Sequence, residues 1–157
     1  MKHELRNVEL FMEAADQIVR YSPVTHLSRD ETFLRLHLIR ESFENFRESL
    51  GVNDDGFGWS LYEPLRPVDT LTALQSLTDL LYVTFGTFHS LGLGQLASQA
   101  FEEVHKANMS KLNSDGKFTK APTGRILKGP NYCPPDLKSL IHPPSSASVF
   151  DQPTTND

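Results

Sequence analysis

The chain has 157 residues, enough for one domain with a substantial core. Its net charge of −5 argues against a general nucleic-acid-binding surface, which needs excess lysine and arginine to neutralise backbone phosphates. The one cysteine, Cys133, cannot form an internal disulfide, no apolar run approaches membrane-spanning length, and the start MKHELRNVEL is too charged for a secretory signal; a cytoplasmic chain without membrane contact is expected.

Leu5, Val8, Phe11, Met12, Ala15 and Val19 recur at three-and-four spacing, which predicts an amphipathic helix over about 4–20, closing at Tyr21-Ser22-Pro23. Ser28 and Glu31 form a capping-box pair that starts a second helix, running from about 30 to a stop at Gly51. Leu36, Ile39, Phe43, Phe46 and Leu50 share its apolar face. The segment 51–68 carries glycines, prolines and aspartates without a clean period and reads as a loop, anchored on the core by Trp59 and Tyr62.

A third helix is predicted from Asp69 to Leu91, with Leu74, Leu77, Leu81, Phe85 and Phe88 on its apolar side; Gly92 and Gly94 end it. A fourth covers about 95–108, with Leu96, Ala100 and Val104. The expected fold is all-α, an antiparallel bundle of about four helices with an extended C-terminal strap. Residues 1–142 form the expected helical domain. The polar stretch from Pro143 onward has no core pattern and is expected to be disordered.

Two constellations carry chemistry. On the second helix Glu41 and Glu48 lie within roughly 20° of each other at about 100° per residue, whereas Glu44 lies roughly 60° from Glu41. Asp79 sits on the third helix in a polar or small stripe with Thr72, Ser76, Gly86 and Ser90. A Glu41–Asp79 pair across packed helices suits magnesium, a hard cation that takes carboxylate oxygens; solvated surface acids give the same pattern more often. The second constellation is His105, Asn108, Ser110 and Lys111 at the end of the fourth helix, followed by Lys117, Lys120, Arg125 and Lys128. Lysine, asparagine and serine all donate to phosphate, although cations at a helix C-terminus also answer its dipole. The segment after Leu127 is stiffened by Pro130, Pro134 and Pro135, and Gly129 permits close backbone approach. Tyr82, one turn beyond Asp79, is more often core than ligand contact but is placed to face a pocket.

The stretches LRLHLIRESFENFRESLGV, LTDLLYVTFGTFHSLGLG, FEEVHKANMSKLNSDGK and GRILKGPNYCPPDL together resemble the all-α NTP pyrophosphatase superfamily, in its MazG-like, phosphoribosyl-ATP-pyrophosphohydrolase-like branch, over roughly 5–141. The resemblance implies an oligomeric helical bundle, a dimer or tetramer, in which an EExxE run and an ExxD run hold magnesium and a nucleoside triphosphate is cleaved to monophosphate and pyrophosphate. It implies phosphate and base contacts from the HxxNMSK and KGPNY segments, present here as His105, Asn108, Ser110, Lys111, Lys128 and Tyr132.

The metal runs depart from the family pattern. EExxE corresponds to Glu41-Ser42-Phe43-Glu44-Asn45 and ExxD to Ser76-Leu77-Thr78-Asp79, which leaves Glu41 and Asp79, with Glu48 as a further metal ligand by its angle. The expected function is therefore binding or sequestration of a nucleotide or nucleotide-like signal with weak or absent hydrolysis. The alternatives are an active magnesium-dependent pyrophosphohydrolase using Glu41, Asp79 and Glu48, and a helical assembly module.

Overall fold

The computed structural model describes residues 1–52 and 67–142. The loop anchors Trp59 and Tyr62 and the tail from Pro143 lie outside these residues. Among the described residues the regular structure is helical, with no strand: α1 (Lys2–Ala14), α2 (Arg29–Ser49), α3 (Thr70–Ser90), a 3₁₀ turn (Gly94–Leu96), α4 (Ala97–Met109) and α5 (Lys138–Ile141). Among the described residues no helix is long and apolar enough to cross a membrane. The chain divides into two compact units, Met1–Ala97 and the remainder from Ser98.

The helix ends of the first unit follow from local chemistry. The Ser28 hydroxyl accepts from Glu31 N at 3.2 Å and Ser28 N donates to Glu31 Oε2 at 3.1 Å, so two orphan donors are satisfied reciprocally. At α3 the Asp69 carboxylate accepts from Thr72 N at 3.1 Å. Three helices close with the same paired hydrogen bonds around a residue in left-handed conformation. Gly51 and Gly92 fill that role after α2 and α3, and Asp16 (φ 54°) fills it after α1.

The early stop at Asp16 corrects the expected first helix, which continued to about 20. Gln17 N donates back to Met12 O at 2.8 Å and Asp16 N to Glu13 O at 3.2 Å, turning the chain out of the helix. Residues 17–24 then run as a strap along the end of α3, with Arg20 N donating to His89 O at 3.0 Å and Val24 N to Leu91 O at 3.1 Å. Val19, placed on the helix by periodicity, packs on the core from this strap instead. The strap passes so close to Gly92 that a Cβ there would meet Ser22 O at 1.8 Å.

The core of this unit gathers Leu5, Val8, Met12, Phe85 and Ala97, with Phe88 packed against it. His89 is buried beside it, its Nε2 hydrogen-bonded with Leu5 O at 2.9 Å. α2 and α3 run antiparallel: Asp69 N donates to Ser49 O at 3.0 Å at one end, and Arg35 lies against Gly86 at the other.

Periodicity put Phe85 and Phe88 on the side that meets the core, but it gave the rest of the α2–α3 contact to the wrong residues. The buried line of α2 is Arg35, Ser42 and Ser49, and that of α3 is Ala73, Ser76, Phe85, Gly86, His89 and Ser90. Leu36, Leu74, Leu77 and Leu81 are exposed, at 61%, 65%, 46% and 51%. Small residues let the helix backbones approach closely, and their hydroxyls need no partner on the other helix. Ser76 and Ser90 donate to the carbonyls of Thr72 and Gly86 one turn back, as Thr84 and Thr87 do to Leu80 and Val83.

In the second unit Ser110 N closes α4 on Lys106 O at 2.9 Å. The chain then makes a series of turns, with an antiparallel bridge between Lys120 and Ile126, before α5. At α5 the Asp136 carboxylate accepts from both the backbone N and the hydroxyl of Ser139, at 3.2 and 2.6 Å.

Candidate functional site

The antiparallel pairing of α2 and α3 opens a cleft of about 300 Å³ lined by Asn45, Glu48 and Ser49 from α2 and by Asp69, Thr72, Gln75, Ser76 and Asp79 at and beyond the start of α3. The spacings are those of single helix faces: 45, 48 and 49 on one, and 72, 75, 76 and 79 on the other. Asp79 and Glu48 therefore share one cavity.

Glu41 is not among the cleft's lining residues. It stands exposed, with its carboxylate 3.8 Å from His37 Nε2. Glu44 is held by Arg47, whose Nε donates to Glu44 Oε2 at 2.6 Å. The same guanidinium lies 3.8 Å from Glu48 Oε1 and also donates to Val52 O. Asp69 is committed to its cap, where Thr72 donates through backbone N and hydroxyl; these bonds hold the Asp69 carboxyl below its ordinary value.

The donor set can be compared with what magnesium requires. Two cations need several anionic oxygens to offset their dehydration. Among the described residues the cleft offers three carboxylates, of which Asp69 is committed to its cap; Glu48 has a guanidinium beside it, and Asn45, Gln75 and Ser76 are neutral. Ser42, at the position of the second acid in the EExxE alignment, is only 7% exposed, so a carboxylate added there would carry a desolvation cost. No group of three His, Cys, Asp or Glu suited to a metal ion occurs among the described residues. These residues do not fit a two-cation centre.

The basic constellation lies in the second unit. Lys111 Nζ donates to Asn108 Oδ1 at 2.6 Å, and Lys128 Nζ sits 4.4 Å from the centroid of the Tyr132 ring. The Ser110 hydroxyl donates to Ala107 O at 2.8 Å and accepts from Cys133 N at 2.9 Å, pinning the proline-stiffened segment to the end of α4. Gly129 is where that segment passes closest, since a Cβ there would meet Lys111 O at 2.8 Å. Lys111 and the Lys128–Tyr132 pair are thereby brought to the same end of α4. His105 is exposed, as are Lys117, Lys120 and Arg125.

Sequence reasoning singled out Glu48, Thr72, Ser76 and Asp79 and noted Asn45 as a replaced acid, but it did not mark Ser49, Asp69 or Gln75. For Asn45 and Gln75 the signal was available, as polar positions one turn from Glu48 and Asp79. Tyr82, placed to face a pocket, does so, but in a second cavity of the same unit. No protein-family model matches this chain, and no functionally curated protein matches it either.

Proposed function

We propose that this chain is a cytoplasmic protein that binds a nucleotide or nucleotide-like signal through its phosphates, and that it hydrolyses that ligand weakly or not at all. The reading rests on the resemblance to MazG-like NTP pyrophosphatases and on a contrast between two sets of side chains. Lys111 with Asn108, and Lys128 with Tyr132, gather cationic and neutral donors of the kind that hold phosphates, and His105 and Ser110 belong to the same segments. Across the α2–α3 cleft, neutral side chains and Arg47 stand where a magnesium-dependent hydrolase needs carboxylates. That shortage of anionic oxygen is the observation that carries the reading. Without the metals the barrier loses both nucleophile activation and leaving-group stabilisation.

Calorimetry with nucleoside mono-, di- and triphosphates, with and without magnesium, tests the proposal alongside a pyrophosphate-release assay. Binding that depends little on magnesium, with negligible release, is expected. Failure of every nucleotide to bind ends the idea.

A second reading draws support from the shared cleft of Glu48 and Asp79. Two carboxylates facing one cavity would hold a single magnesium ion and sustain slow pyrophosphohydrolysis. Magnesium-dependent release abolished by Asp79→Ala would favour it.

We also infer a homo-oligomer, a dimer or tetramer of helical bundles. Leu71, Leu74, Leu77 and Leu81 form an exposed apolar stripe along α3, and Leu71 is 77% exposed. Such a stripe is costly to leave in water.

A further inference from the structure

A second cavity in the first unit, about 330 Å³, is walled by α1, α2 and α3. Its lining is almost wholly apolar: Val8, Phe11, Met12, Leu34, Leu38, Tyr82 and Val83, with Gly86 at its floor. The polar exceptions are Arg35 and Gln17. Phe11 and Tyr82 meet edge to face there, ring centroids 5.7 Å apart, giving the cavity an aromatic wall.

Arg35 is the anomaly. It is only 7% exposed, and its buried Nε has no hydrogen-bond acceptor. Nη2 donates to the neutral Gln17 Oε1 at 2.8 Å. Among the described residues no carboxylate lies within ion-pair distance of the guanidinium. Glu31, whose charge acts on Arg35, spends its carboxylate on Arg20 at 2.7 and 3.2 Å and on Ser28 N. Gly86 supplies the room, since a Cβ there would come within 3.1 Å of Arg35 Nη1. Burial pulls the Arg35 pKa down, while the charge of Glu31 acts the other way. A guanidinium stays charged in a protein, so its counter-charge has to come from outside this set of side chains.

We propose that this cavity is a binding site for a small aromatic carboxylate, with the anion on Arg35 and the ring against Phe11 and Tyr82. A planar guanidinium matches a carboxylate with two parallel hydrogen bonds, which a neutral amide cannot reproduce. The apolar walls take the rest of the ligand, and the volume lies at the small end of the range for small-molecule sites. The site shares no residue with the α2–α3 cleft or with the basic segment, so it stands or falls independently of nucleotide binding.

The test uses the full chain and two probes of nearly equal shape, 1-naphthylacetate and the uncharged 1-naphthylacetamide, titrated by calorimetry at pH 7. The acid is expected to bind at least tenfold tighter than the amide. Arg35→Met should erase that preference while leaving the amide's affinity unchanged or improved. Val83→Trp keeps Arg35 but fills the cavity, and should abolish binding of both probes even if Arg35→Met fails to fold. Equal affinities in the unaltered chain, no binding of either probe, a preference that survives Arg35→Met, or binding that survives Val83→Trp would each overturn the proposal.

Discussion

Arg20 grips Glu31 with two hydrogen bonds, Nη1 to Oε1 at 2.7 Å and Nη2 to Oε2 at 3.2 Å, while Nη1 also donates to Ser90 O at 2.7 Å. One side chain on the strap thus ties the first turn of α2 to the last turn of α3. The arrangement makes the stability of the first unit pH-dependent.

The Arg20 guanidinium, aided by Ser28, holds the Glu31 carboxyl down at about 2, from an ordinary 4.5. A depressed folded-state pKa means that the contribution is complete above the unfolded value and fades as pH falls from about 4.5 through about 2. Glu31→Gln is expected to cost about 1–2 kcal/mol at pH 7, as a charge-assisted pair gives way to a neutral one. Urea unfolding of both proteins at several pH values checks this: the gap should close toward pH 2. A gap independent of pH would show that the ion pair is not its source.

Gly92→Ala is expected to destabilise the chain by about 2–3 kcal/mol. Two effects add: the left-handed backbone at φ 71° and the collision of a new Cβ with Ser22 O. Thermal unfolding reads the loss. Gly116→Ala, also at positive φ but with open space around it, isolates the backbone part and should cost less.

The cleft can be given the charge it lacks. Asn45→Glu combined with Gln75→Glu, both at positions that are already exposed, would add two acids to Glu48, Asp79 and the capping Asp69 around it. Magnesium affinity measured by calorimetry should rise at least about tenfold. An unchanged affinity would mean that the cleft is not the counterpart of a metal centre.

Lys111→Ala and Lys128→Ala each remove one cationic donor from the basic segment. Each is expected to weaken nucleotide binding about 10–100-fold, the worth of one charge-assisted hydrogen bond to phosphate. Calorimetry at low and moderate salt reads the change, and the loss should be smaller at higher salt. Undiminished affinity in both variants would move the phosphate site elsewhere.

Leu74→Glu inserts a charge into the exposed stripe of α3 without touching the buried line of Ala73, Ser76 and Ser90. Light scattering coupled to size exclusion should show a smaller species than the unaltered chain, with helicity retained. An unaltered mass would remove this stripe from the assembly interface.

The parts of the fold that were legible beforehand are those decided within a few residues. The Ser28–Glu31 capping box, the start of α3 at Asp69, and the stops at Gly51 and Gly92 depend on side chains and backbone hydrogen bonds spanning one turn, so the sequence contains all their partners. The stop at Asp16 is equally local but was masked, because Ala15 and Val19 continue the apolar spacing and aspartate is a less usual left-handed residue than glycine.

Which face of a helix turns inward is decided by a neighbour far along the chain. Leu74, Leu77 and Leu81 have the more apolar face, yet the narrower stripe of Ala73, Ser76 and Gly86 is what α2 can approach. The same distinction runs through the cleft and the second cavity. Sequence alone singled out Asp79 and Glu48 as candidate ligands. Only packing could pair Glu48 with Asp79 and leave Glu41 outside, or bury Arg35 beside Gly86, about 50 positions away, with no carboxylate among the described residues to meet it. Hydrogen bonds within one turn are written in neighbouring residues, whereas burial and counter-charge are properties of surfaces that exist only once distant segments meet.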